Sequence, residues 1–118
     1  MRTNPIVIGA ITAVEIMSDE ALIKNEQDAL DIMALASSDY IILHEHNFNK
    51  DFFDLSTRFA GEILQKFTNY HVSLAIIGNF EKFKSKSLKD FIYESNKVGK
   101  HIFVRSIEET IKIWQRNK

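Results

Sequence analysis

The run HEHNFNKDFFDL, His44 to Leu55, gathers two histidines, three carboxylates and two asparagines where an apolar stretch gives way to a helical pattern. Those types suit a metal site or acid–base chemistry, and each can be tested on spacing alone. His44 and His46 stand two apart, so on a continuing strand they share a face and could share an ion, with Asp51 or Asp54 as a third ligand. The other histidines, His71 and His101, fall at the starts of the next two apolar runs. That places them at the opposite sheet edge, roughly 17–20 Å away for strands of five or six residues. Four histidines therefore cannot converge, and no native metal is expected. Ser56, His46 and Asp54 supply the residue types of a nucleophilic triad, but no nucleophile elbow frames the serine. Glu45 and Asp54 could act as an acid–base pair. Carboxylates beside a helix start more simply meet its unpaired N–H groups and the positive end of its dipole. The glycines are single and widely separated, so no phosphate-cradling loop is present. The absence of cysteine removes thiolate nucleophiles, Cys-ligated zinc and iron–sulfur clusters. No cofactor is expected.

The elements that must position these residues follow from hydrophobic periodicity. Ile6 to Ile8 and Ile11 to Met17 are β-rich runs flanking Gly9-Ala10, which reads as a hairpin or bent strand. Asn25 is placed to cap a helix through Ser37. Tyr40 to Leu43 has strand length and no polar interruption. Phe52, Phe59, Ala60, Ile63, Leu64 and Phe67 recur at helical spacing, which predicts a long amphipathic helix across roughly 50–68. Gly61 within it costs about 1 kcal/mol relative to Ala, and tight packing against the sheet is the expected reason. Val72 to Ile77 is a strand closed by Gly78-Asn79. A helix runs from about Ser85 to Val98 with Gly99 as its stop, then Ile102 to Val104 forms a short strand. Ser106 and Glu109 form a capping-box pattern opening a last helix. The order is β-β-α-β-α-β-α-β-α. It predicts one α/β domain over 1–118, with a small, mostly parallel sheet of four or five strands and about four helices. Sites in such sheets favour the edge shared by the strand C-termini. That edge gathers Glu45, Asn47, Asp54, Asn79, Lys86 and Arg105, with Ser56 and Thr57 early in the long helix.

Composition sets the outer bounds. The chain has 118 residues, 45% hydrophobic and 26% charged, with a net charge of −1. That is ordinary for a folded domain and gives no nucleic-acid footprint. The charge is uneven: residues 1–62 carry 4 basic and 11 acidic side chains, and residues 63–118 carry 11 basic and 5 acidic. Interleaving of the halves is the expected neutralisation. No apolar run reaches the roughly 18 residues of a membrane-spanning helix. The start, MRTNPIVIGAITAV, reads as a buried strand pair rather than a secretion signal, and a cytoplasmic location is expected.

The runs FFDLSTRFAGEILQKFTNYHVSLAIIGNF and KSKSLKDFIYESNKVGKHIFVRSIEE, with EIMSDE and DALDIM before them, closely resemble a bacterial family catalogued as domain of unknown function 4180. The resemblance extends from about Ile11 to the end and implies no activity, since that family has none established. The element order also resembles that of STAS domains, small α/β modules of the anti-sigma-factor antagonist type. Those bind a protein partner, and in some a Ser or Thr at a helix start is phosphorylated to abolish binding. Here IILHEHNFNKDFFDLSTRFAGEIL lies in the matching place, with Asp54 and Ser56 or Thr57 as the motif. It departs from the pattern in Leu55 after the aspartate, Arg58 near the expected glycine, and a longer loop.

The leading expectation is a non-enzymatic regulatory domain that binds a protein partner of unknown identity and is switched by phosphate on Ser56 or Thr57. The alternative is a small-molecule or anion-binding domain, at most weakly catalytic, using the sheet edge. A third is a homodimer whose interface uses Phe48, Phe53, Phe80 and Phe83, aromatics that serve equally well as core. Nucleic acid and membrane are not expected partners.

Overall fold

The computed structural model describes residues 1–116. Strands β1 (Arg2–Ile8) and β2 (Ile11–Met17) form an antiparallel hairpin, its turn made possible by Gly9 at φ 60°. Three parallel strands follow in sequence order, β3 (Tyr40–His44), β4 (Ser73–Ile77) and β5 (His101–Val104), giving one mixed, mostly parallel five-stranded sheet ordered β1-β2-β3-β4-β5. The helices are α1 (Glu26–Ala36), α2 (Phe59–Asn69), α3 (Lys86–Val98) and α4 (Ile107–Arg116). The expected element order is therefore observed. No helix among the described residues is long and apolar enough to cross a membrane.

Local chemistry explains the helix ends. Asn25 Oδ1 accepts from Asp28 N–H at 2.8 Å to start α1, and Ser85 Oγ accepts from Leu88 N–H at 3.2 Å to start α3. Gly99 closes α3 at φ 87°. Before α4, Ser106 Oγ accepts from Glu109 N–H at 3.1 Å. The Glu109 carboxylate reaches one residue further back than in a capping box, to the Arg105 N–H at 2.8 Å.

Each sheet face has its own core. Helices α1, α2 and α3 lay Ala29, Ile32, Ile63, Phe67 and Leu88 on Ile16, Ile41, Leu43, Leu74, Ile76 and Phe103. Helix α4 alone covers the other face, placing Ile113 and Trp114 over Ile8, Ala13, Ile42, Ala75 and Ile102. The Trp114 indole N–H donates to Gly99 O at 3.2 Å, and its ring meets Tyr40 edge-on at 5.1 Å. The free side of β5 is closed by α3 side chains. Asn96 Nδ2 donates to Phe103 O at 3.0 Å and Asn96 Oδ1 accepts from Phe103 N–H at 2.7 Å, satisfying that edge as a strand would.

Three expectations are corrected. The opening strand pair is buried only in part: in β1, Arg2 to Pro5 and Val7 are exposed and Ile8 alone is fully buried. The helix predicted across roughly 50–68 begins only at Phe59; residues 50–53 and 55–57 form separate 3₁₀ turns. Asp54 takes the Ser56 N–H onto its carboxylate at 3.1 Å, and Arg58 adopts a left-handed φ of 64°, which an α-helix cannot pass through. Ser56 and Thr57 thus precede α2 rather than lie in it. Gly61 is not packed against the sheet either: it is exposed, and a Cβ built on it meets nothing within 4 Å.

The charged halves do interleave. Lys66 pairs with Glu26 at 3.3 Å, and Lys82 with Glu45.

Candidate functional site

Where β3 and β4 end, the chain opens a cavity of about 540 Å³ at the predicted sheet edge. Its floor is aromatic. Phe48, Phe52, Phe53, Phe59, Phe80, Phe83, Phe91 and Phe103 form one connected set of ring contacts, with Phe53 and Phe83 nearly parallel at 5.1 Å. Phe48 and Phe53 are therefore core residues, and Phe80 and Phe83 are half-buried against them. Of the four aromatics considered for a dimer interface, Phe48 and Phe53 are thus committed to the core, while Phe80 and Phe83 keep part of their surface. Phe48, Phe53 and Phe83 line the cavity, and His44, Glu45, His46, Lys50 and Lys82 form its polar wall.

The two histidines are held differently. His44 Nε2 lies 2.8 Å from Glu15 Oε2, a buried carboxylate on β2 that also accepts from Asn4 Nδ2 at 3.3 Å. The His44 backbone N–H donates to Asn47 Oδ1 at 2.9 Å while the Asn47 N–H faces the His44 ring in return. Both edges of that imidazole are engaged, so the Glu15–His44 pair braces the end of β3 rather than presenting a free base. His46 sits beyond the strand end in a 3₁₀ turn, its ring stacked on His44 at 5.7 Å. Its Nε2 donates to Ser18 O at 2.8 Å.

Glu45 is fixed by the β4 turn. Its Oε1 accepts from Asn79 N–H at 3.2 Å, and its carboxylate pairs with Lys82. Gly78 makes this approach possible, since a Cβ there would lie 2.6 Å from Glu45 Cβ. Lys82 also lies 5.4 Å from the Phe83 ring centre. Lys50 is exposed and makes no ion pair among the described residues.

Of the expected edge residues, Glu45 lines the cavity and Asn79 touches Glu45. Asn47 is fully buried: its Nδ2 donates to Ser18 O and Glu20 O, and its own carbonyl accepts from Leu22 and Ile23, tying the 18–23 loop to the end of β3. Asp54, Lys86 and Arg105 lie elsewhere on the surface, bonded to Ser56, Asp90 and Glu81. Asp54 makes no ion pair with Arg58 among the described residues; its carboxyl is held below the usual range by the Ser56 hydroxyl and then by the Ser56 backbone N–H. No hydrogen bond joins Ser56 to His46 or Glu45 to Asp54 among the described residues, so neither the nucleophilic nor the acid–base arrangement is assembled. Those residues also contain no cluster of three metal-ligating side chains. His71 and His101 stand at the far edge, as geometry required.

Sequence reasoning missed Glu15 and Lys82, named Phe83 only for a dimer interface, and passed over Lys50 within the His44–Leu55 run. A carboxylate inside the apolar run TAVEIM was a usable signal for Glu15. Nothing in the local pattern marked the other three, because a loop's path rather than a periodicity brings them to the cavity.

A family model described as domain of unknown function (DUF4180) matches residues 8–114. No curated protein matches the chain. No solved structure matches it either.

Proposed function

This chain belongs to the domain of unknown function (DUF4180) family, and we propose that it is a binding domain whose sheet-edge cleft holds a small organic molecule. The observation that carries this reading is the cleft itself: about 540 Å³, floored by phenylalanine rings and walled by His46, Lys50 and Lys82. Small-molecule sites combine that size, an apolar lining and a few placed polar groups. The engaged edges of His44, and the separation of Ser56 from His46, favour binding over catalysis. The likeness of the element order to STAS domains, which act by binding, supports the same side.

Thermal-shift screening of the full chain with small organic molecules tests it. A ligand at 100 times its Kd adds about 2.7 kcal/mol of stability. The expected result is at least one stabilising compound whose effect weakens in Lys50→Glu, a change that reverses the rim charge at an exposed, unpaired residue. Equal stabilisation of the variant by every hit sinks the cleft as the site.

A second reading, a protein-partner switch, keeps support from one residue. Ser56 is exposed, and among the described residues its hydroxyl is held only by Asp54 Oδ1, at 2.7 Å. Thr57 is the weaker acceptor, because its Oγ1 donates toward Asp51 O and Asp54 O and accepts from Phe59 N–H at the start of α2. Phosphate on Ser56 adds about −1.5 to −2 charges beside Asp54 and so repels an acidic partner. Capture of partners from the host lysate by the wild type and by Ser56→Glu decides this: loss of a stoichiometric partner supports the switch, and an unchanged set ends it.

A further inference from the structure

We infer that the cleft's ligand is a small aromatic acid that also carries an O–H or N–H donor, an inference resting on the cleft reading above. Three features of the walls define this class.

The first is the balance of charge. Glu45, the cavity's acidic side chain, already pairs with Lys82 and accepts from Asn79 N–H, so a cationic ligand would find no free carboxylate there. Lys50 is a cation with no partner among the described residues. One unmatched ammonium suits one carboxylate. A phosphate dianion asks for more donors, usually successive backbone N–H groups in a glycine-rich turn, and this edge has only the single Gly78.

The second feature is the exposed ring edge of His46. A carbonyl oxygen can only accept, so the 2.8 Å contact with Ser18 O fixes a proton on Nε2. In the neutral ring Nδ1 then carries a lone pair, and it has no partner among the described hydrogen bonds. His44, stacked against it, offers no such group, since Glu15 and the Asn47 amide take its two edges. An open acceptor in the wall selects a ligand with a hydrogen to donate.

The third is the aromatic lining. Phe48, Phe53 and Phe83 all line the cavity, and Phe53 and Phe83 stack on each other with centroids 5.1 Å apart. Aromatic rings gain from edge-to-face and offset contact with one another beyond the area they bury, a gain that a saturated ring of the same size does not have.

Isothermal titration calorimetry of the full chain with the hydroxybenzoate isomers tests the class. The comparison compounds are benzoate, phenol and the matching hydroxycyclohexanecarboxylate, which lack the donor, the acid and the aromatic ring respectively. The best hydroxybenzoate is expected to bind about tenfold tighter than each of the three, the factor that one such interaction supplies. Lys50→Ala should bring hydroxybenzoate and phenol to near-equal affinity. His46→Phe should remove the advantage of hydroxybenzoate over benzoate while leaving benzoate itself bound. Phenol must stay bound in Lys50→Ala, as benzoate must in His46→Phe, so a general loss of fold does not imitate either readout. Equal binding of benzoate, phenol or the hydroxycyclohexanecarboxylate by the wild type overturns the inference. A neutral or cationic compound that binds best and shifts the amide resonances of Gly78 and Lys82 overturns it too, while leaving the cleft reading intact. If no compound of any class moves those resonances, both readings fall.

Discussion

Ser56 donates twice to Asp54, through its hydroxyl at 2.7 Å and its backbone N–H at 3.1 Å, and both bonds favour the ionised carboxylate. Ser56→Ala removes the larger contribution and should raise the Asp54 pKa toward its ordinary value, read from the carboxyl carbon shift in an NMR titration. An unmoved pKa contradicts the hydrogen-bond assignment. His101 shows the opposite chemistry. Burial first, and the Lys100 charge second, push its pKa down to about 4. Its Nδ1 accepts from Leu74 N–H at 3.3 Å, which requires the neutral ring, and its Nε2 lies 2.8 Å from Thr68 Oγ1. Between the ordinary histidine pKa of 6.5 and about 4, the unfolded chain binds this proton and the folded chain does not. Stability from this residue is therefore complete above pH 6.5, falls as pH drops through that window and levels below about 4. The whole step is worth roughly 3 kcal/mol. Urea denaturation at several pH values should show a steeper fall for the wild type than for His101→Asn, and identical slopes contradict the assignment.

Helix α2 shows what local patterning could and could not reveal. Its apolar stripe was legible, and so were the caps Asn25 and Ser85, the Gly99 stop and all five strands, because each is written in residues close in sequence. The break before α2 was not. Phe52 keeps helical spacing with Phe59, yet Asp54, Thr57 and left-handed Arg58 turn that segment into 3₁₀ turns. Side chains competing for backbone hydrogen bonds overrode periodicity there. The candidate site was legible only in part for a related reason. Glu45 and Asn79 follow from strand ends, whereas Lys50, Lys82 and Phe83 arrive by loop paths that no period encodes. Gly61 lies inside α2 with open space where a Cβ would stand. Gly61→Ala should therefore stabilise the chain by about 1 kcal/mol, measured by thermal or denaturant unfolding. A destabilised variant contradicts the open environment.

At the scale of the molecule, an acidic first half and a basic second half meet across the parallel strands, with Lys66–Glu26 and Lys82–Glu45 bridging them. The β5 edge is closed by Asn96 and helices cover β2 to β5, while β1 is largely exposed; at the strand C-termini a lined hollow opens between β3 and β4. That hollow is the central claim. The most direct test is a ¹⁵N-resolved NMR titration of the full chain with a mixed set of small organic acids, following every backbone amide. The account predicts saturable shifts concentrated at His46, Lys50, Gly78 and Lys82, with α1 and the β1–β2 turn unmoved. Shifts that never saturate, or that saturate at another surface, would contradict it.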